Sequence, residues 1–395
     1  MEDNKKEKVQ QGKAGKKKTY IVPVISFLIG VGIGVGGLVI LEKTSNIFEK
    51  SVGEFMFIYA GFMVGIYFAV ILDTIIHELG HMIFGLMTGW SFSSFRIGSL
   101  VLIKEKGKFK IKKMSIAGLA GQCLMNPPDL VDGKMPYKLY NFGGSIMNMI
   151  TALIFGGLFF VFEDYKYVSY FFIIAGLFGV FSALTNGIPL RIGGIDNDGY
   201  NAVSMGKCEG AIRSLWVQTK VNAELVKGKR VEDMPDEWFY FPDENEMNNT
   251  LCSVMAVFYA ERLIGQHKFE EAKECLDKIM NMETGLLPMH KNLVIFDRIF
   301  CELVGECDKE FIENLLTDEL ITFMKKMEQL PAMIRIEYAL ALMIDEDREK
   351  AEKLKKMFEK RAKSYPYSGD IESERELIAV IDEMVNIAQK LNKAN

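Results

Sequence analysis

Asp73-Thr74-Ile75-Ile76-His77-Glu78-Leu79-Gly80-His81-Met82-Ile83-Phe84 carries two histidines four residues apart inside a long apolar run. On a helix, positions i and i+4 share one face, so both imidazoles point the same way, a spacing that suits a divalent zinc ion. Glu78 stands beside them, where a carboxylate can act as a general base. The flanks set the context. Phe55 to Leu72 is almost wholly apolar upstream, and Met82 to Met87 continues the run downstream. Ionisable side chains at membrane depth are costly and mark functional sites. A metal site within a bilayer is the first expectation.

Working outward, apolar runs predict four spans at about 20–42, 54–87, 143–162 and 168–190. Each approaches or exceeds the ~20 residues a helix needs to cross. The second is longer than needed, and Trp90 after it suits an interfacial anchor. The first follows a Lys-rich tail (1–19) and reads as an uncleaved signal anchor, rich in glycines that admit a neighbouring helix. Lysines crowd the tail and the 88–142 segment, while 43–53 and 163–167 carry few. The positive-inside rule then places the N-terminus, the 88–142 segment and the C-terminal region in the cytosol of a multi-pass cell-membrane protein. On this topology His77 and His81, Asn148, and the loop after Asn186 and Pro189 reach one depth near the cytosolic face.

The chain has 395 residues and a formal net charge of −5, which argues against a nucleic-acid partner. None of the six cysteines forms a CxxC pair, and all fall in segments assigned to the reducing cytosol. Disulfides and cysteine-based zinc binding are therefore not expected.

Three motifs in order resemble the site-2 protease family of intramembrane zinc metallopeptidases. They are His77-Glu78-Leu79-Gly80-His81, then Gly144-Ser145-Ile146-Met147-Asn148, then Asn186-Gly187-Ile188-Pro189 followed by Asp198-Gly199. The resemblance covers roughly residues 54–200. It implies zinc held by His77, His81 and Asp198, with Glu78 as general base on a zinc-bound water and proton donor to the leaving amine. It also implies peptide-bond hydrolysis in or near transmembrane segments of membrane proteins or membrane-bound peptides. The interval before Asp198 is longer than the family's, so Asp196 and Asp73 stand as rival ligands. Asp73 is one turn before His77 and also suits a group that orients an imidazole. Asn148 is a candidate catalytic residue, able to bind the substrate carbonyl or oxyanion, or else to form an interhelical hydrogen bond. Asn186 and Pro189 are expected to break the last span and shape the loop that presents the aspartate.

Phe92 to Lys113 reads as a β-hairpin, because Phe109 and Ile111 alternate with Lys108, Lys110 and Lys112 and Lys106-Gly107 suits the turn. Its edge could hold extended substrate or be a plain surface feature. Residues 201–244 read as a linker region and 245–395 as a cytosolic helical domain. Turns at Gly265–Ala272, Gly305–Ile312 and Ile344–Ala351 recur at about forty residues, a weak similarity to tetratricopeptide hairpins that suits a protein partner. The expected fold is thus mainly α: a polytopic membrane core with a short hairpin, followed by a soluble helical domain. Two competing functions are a non-catalytic relative serving as a binding or assembly factor, and a zinc transporter or sensor.

Overall fold

The computed structural model describes residues 35–394 apart from 38, 41, 44–45, 106, 115–119 and 193–194. The expected first span, 20–42, lies largely outside the described residues. Among the described residues, three helices are long and apolar enough to cross a membrane: α1 (Val52–Met87), α2 (Lys138–Val161) and α3 (Lys166–Gly187). At 1.5 Å per residue α1 is about 54 Å long, well beyond a ~30 Å hydrocarbon core. Its start is a capping box. The Glu54 carboxylate accepts from the Ser51 backbone N–H and hydroxyl, and Ser51 Oγ accepts from the Glu54 N–H. α3 ends at Gly187, two residues before Pro189, which cannot continue the ladder.

The chain forms two compact units. The first comprises the described residues up to Phe84 together with those of Lys138–Val203. In it α2 and α3 pack closely through small residues. A methyl at Gly179 would stand 3.1 Å from the Asn148 carbonyl oxygen, and one at Gly176 3.3 Å from that of Ala152. Between α3 and α4 (Asp198–Ser204), β5 (Arg191–Ile192) and β6 (Ile195–Asp196) form a two-stranded hairpin.

The second unit comprises Gly85–Tyr137 and Ser204–Asn395. Its four strands are β1 (Ser91–Ile97), β2 (Leu100–Glu105), β3 (Lys108–Lys113) and β4 (Gly121–Asn126). They form an antiparallel sheet in the order β3-β2-β1-β4. The expected hairpin over Phe92–Lys113 is therefore three strands of a four-stranded sheet. Gly107 of the expected turn lies between β2 and β3 at φ +79°, while Lys106 is outside the described residues. Val101 and Ile103 point from one face into the core of the C-terminal helices, while Leu100, Leu102, Phe109 and Ile111 lie on the exposed face. Trp90 is buried rather than exposed as an interfacial anchor, and its indole donates to the Pro136 carbonyl at 2.9 Å.

Residues 201–244 are packed rather than a linker. Helix α5 (Glu209–Val226) buries Val217 and Val221 against Met234, Phe239 and Met255. Apolar periodicity continues through this stretch, and Trp216 and Trp238 stack edge-on at 5.4 Å. Next come α6 (Thr250–Gly265), α7 (Phe269–Asn281), α8 (Pro288–Val304), α9 (Lys309–Leu315), α10 (Asp318–Lys326), α11 (Pro331–Met343), α12 (Arg348–Ala362) and α13 (Ser368–Ala394). All three expected turns fall between helices. Each contains one non-glycine residue in the left-handed region: His267, Cys307 and Glu346, at φ 59°, 56° and 55°. A left-handed residue two positions before the start of the next helix thus recurs at an interval of about forty residues.

Candidate metal centre

The first unit places His77, His81 and Asp198 together. Their ligand atoms form a small triangle. His77 Nε2 is 3.1 Å from Asp198 Oδ2, His81 Nε2 is 3.3 Å from the same oxygen, and the two Nε2 atoms are 3.1 Å apart. Three donors of a tetrahedral zinc site with bonds of about 2.05 Å would stand about 3.3 Å apart. The donor set, two imidazoles and a carboxylate, suits zinc and leaves a fourth position for substrate or solvent.

The other ring nitrogens decide which atoms face the centre. His81 Nδ1 lies 2.8 Å from the Tyr140 carbonyl oxygen, so Nδ1–H donates there and Nε2 is left as an acceptor. His77 Nδ1 lies 3.4 Å from the Asn148 side-chain amide. Asn148 is fully buried, and its Oδ1 has no hydrogen-bond partner. Rotating the amide would offer Oδ1 to an Nδ1–H on His77, the tautomer in which Nε2 binds a metal. The Asn148 amide thus stands beside the His77 ring, where it can orient the imidazole. Glu78 is also buried, at 8% exposure.

Backbone contact between α1 and α2 makes this possible. A Cβ at Gly80 would fall 2.3 Å from the Gly143 carbonyl oxygen, and one at Gly143 2.6 Å from that of Gly80. A Cβ at Gly144 would sit 2.5 Å from the His77 ring. Hydrogen alone fits at all three positions, which lets the helices touch beside the histidines.

The structure separates the three candidate aspartates. Asp196 is engaged by Arg191, whose Nη2 donates to Oδ2 at 2.8 Å. Asp73 accepts a hydrogen bond from the Ser182 hydroxyl on α3, and the amide at His77 Nδ1 is that of Asn148. Asp198 alone joins the two histidines. Burial works to raise its pKa, but the imidazoles of His77 and His81 hold the carboxyl well below the usual range. Gly199 has a steric role beside it: a Cβ there would lie 2.2 Å from the Gly187 carbonyl oxygen.

Asn197 organises this loop and was not singled out from the sequence. Its Nδ2 donates to the carbonyls of Thr185 at 2.7 Å and Ile188 at 2.6 Å. Its Oδ1 accepts from the Leu190 N–H at 3.0 Å and caps α4 through the Tyr200 N–H at 2.8 Å. Asn186, expected to shape the loop, instead donates to the Ser182 carbonyl on its own helix. The available signal was a cap-type residue directly before Asp198-Gly199. Asn197→Ala removes four hydrogen bonds of about 1 kcal/mol each. We expect metal affinity to fall about 10–100-fold, as for other groups that orient ligands, measured by competition with a chromogenic chelator.

No family model, curated protein or solved structure matches the chain.

Proposed function

We propose that the protein is an intramembrane zinc metalloendopeptidase of the site-2 protease type. It would hydrolyse peptide bonds in or near transmembrane segments of membrane proteins or membrane-bound peptides. The observation that carries this reading is the triangle of His77, His81 and Asp198 donor atoms, with both histidines and Glu78 on a helix long and apolar enough to cross a bilayer. A zinc ion held there would supply a Lewis acid that polarises a scissile carbonyl and makes a water more acidic. Glu78 takes the proton from the attacking water and returns it to the departing amine. Tyr140 and Asn148 hold the two imidazoles in their liganding orientation. Glu78 is 8% exposed and the His77 and His81 side chains 13% and 10%, so charges there are weakly screened.

Lysine placement supports a multi-pass cell-membrane protein with its site toward the cytosol and its C-terminal region in the cytosol. The recurrent left-handed turn residues support a tetratricopeptide-like array there, a surface suited to a protein partner. The edge strand β3 supports docking of extended substrate. The Met114 N–H points at β2, so by alternation those of Phe109 and Ile111 point outward.

The test is cleavage of a panel of single-span substrates by protein purified in detergent. Treatment with a strong zinc chelator is expected to abolish cleavage, and added zinc to restore it. A panel left intact by zinc-replete protein would instead favour a non-catalytic binding or assembly role.

A further inference from the structure

The second unit contains another converging set of metal-type ligands. Cys208 is the N-cap residue of α5, Cys252 lies in the first turn of α6, and Glu246 sits in the turn preceding α6. One ligand atom from each lies within 4.8 Å of the others. The two Sγ atoms are 3.9 Å apart. Two thiolates on one tetrahedral zinc, with bonds of about 2.3 Å, stand about 3.8 Å apart.

The surroundings are built around these atoms. The Ser214 hydroxyl, fully buried on α5, donates to Cys252 Sγ at 3.7 Å and lies 3.0 Å from the Tyr240 hydroxyl. Hydrogen bonds of this kind steady ligating sulfurs from behind. Gly210 leaves room for the third ligand, because a Cβ there would stand 2.2 Å from Glu246 Oε1. Both cysteines sit at helix N-termini, which favour thiolate over thiol. Burial opposes this and pushes the Cys252 thiol up to about 12, with Cys208 and Glu246 adding to the effect. A divalent cation among the three would reverse that balance, since a metal holds its sulfur ligands deprotonated.

We infer that Cys208, Glu246 and Cys252 form a second metal site, for a zinc-class thiophilic divalent cation that staples the start of α5 to the start of α6. Two thiolates select a soft or borderline ion over magnesium or calcium. The site would act structurally, tying together two helices whose chain positions are 44 residues apart at the cysteines. It is independent of the peptidase reading, because none of its ligands belongs to the histidine centre.

Zinc stoichiometry of full-length protein in detergent and reducing buffer tests it. After zinc loading and gel filtration, wild type is expected to hold about two zinc ions per chain, and Cys208→Ser/Cys252→Ser about one. His77→Ala/His81→Ala should also retain about one, held by sulfur. Loading that histidine variant with cobalt should produce a thiolate-to-cobalt charge-transfer band in the near ultraviolet. This reading does not require the cysteine variant to fold. No retained metal and no sulfur band in the histidine variant would overturn the proposal. So would a Cys208–Cys252 disulfide trapped by alkylation of freshly prepared protein. Loss of the histidine-held zinc alone would leave this second site standing and count against the peptidase.

Discussion

Glu78→Gln is expected to lower cleavage by about 10²–10⁴-fold while leaving the histidine-held zinc in place. The amide keeps the size of the carboxylate and its buried position, so packing around α1 changes little. It cannot accept a proton at neutral pH, so the attacking water loses its base and the leaving amine its acid. The ligand atoms are those of His77, His81 and Asp198, and Glu78 is not among them. The decisive measurement pairs zinc per chain with the turnover of one cleavable single-span substrate. Equal zinc with unimpaired turnover would remove Glu78 from the chemistry and with it the proposed mechanism.

Gly80→Val is expected to have a comparable effect by a different route, losing metal and activity together. The Cβ of any residue at 80 would be 2.3 Å from the Gly143 carbonyl oxygen and 2.7 Å from Met147 Cβ. Backbone carbonyls cannot rotate away as a flexible side chain can, so α1 and α2 must separate. The His81 Nδ1–H bond to the Tyr140 carbonyl crosses this same contact, and its 2.8 Å length leaves no slack. Displacing catalytic groups by about 1 Å costs about 10²-fold in rate, before any loss of metal. Gly61 lies on the same helix with open space around it, so Gly61→Val serves as the control. Wild-type zinc content and turnover in Gly80→Val would show that the close helix contact does not support the site.

The cysteines, β4 and the 201–244 region each depend on neighbours distant in the chain. The absence of a CxxC spacing argued against sulfur ligation, yet Cys208 and Cys252 meet because the starts of α5 and α6 are neighbours in space. β4 was missed because Gly121-Gln122-Cys123-Leu124-Met125-Asn126 shows little polar alternation. It is a strand because β1 offers it a partner, with Cys123 opposite Phe95. The 201–244 region looked like a linker because of Pro235 and Pro242. Its aromatic residues are nevertheless anchored by packing against α5 and α6.

What the sequence determined by itself lies within a helical turn or one apolar run. Length and hydropathy specified four apolar spans, of which the last three fall on membrane-length helices among the described residues, since backbone groups in an apolar run are best satisfied within a helix. The four-residue spacing of His77 and His81 put both rings on one face. Only the tertiary structure decided that Asp198 completes the triangle, that Arg191 engages Asp196 and that Ser182 bonds Asp73. It also decided that Asn197 holds the loop and that glycines 80, 143 and 144 bring the helices into backbone contact. The reason is physical. Periodicity reports which face a residue occupies, while a ligand set depends on donors distant in the chain meeting within about 3 Å, which only packing brings about.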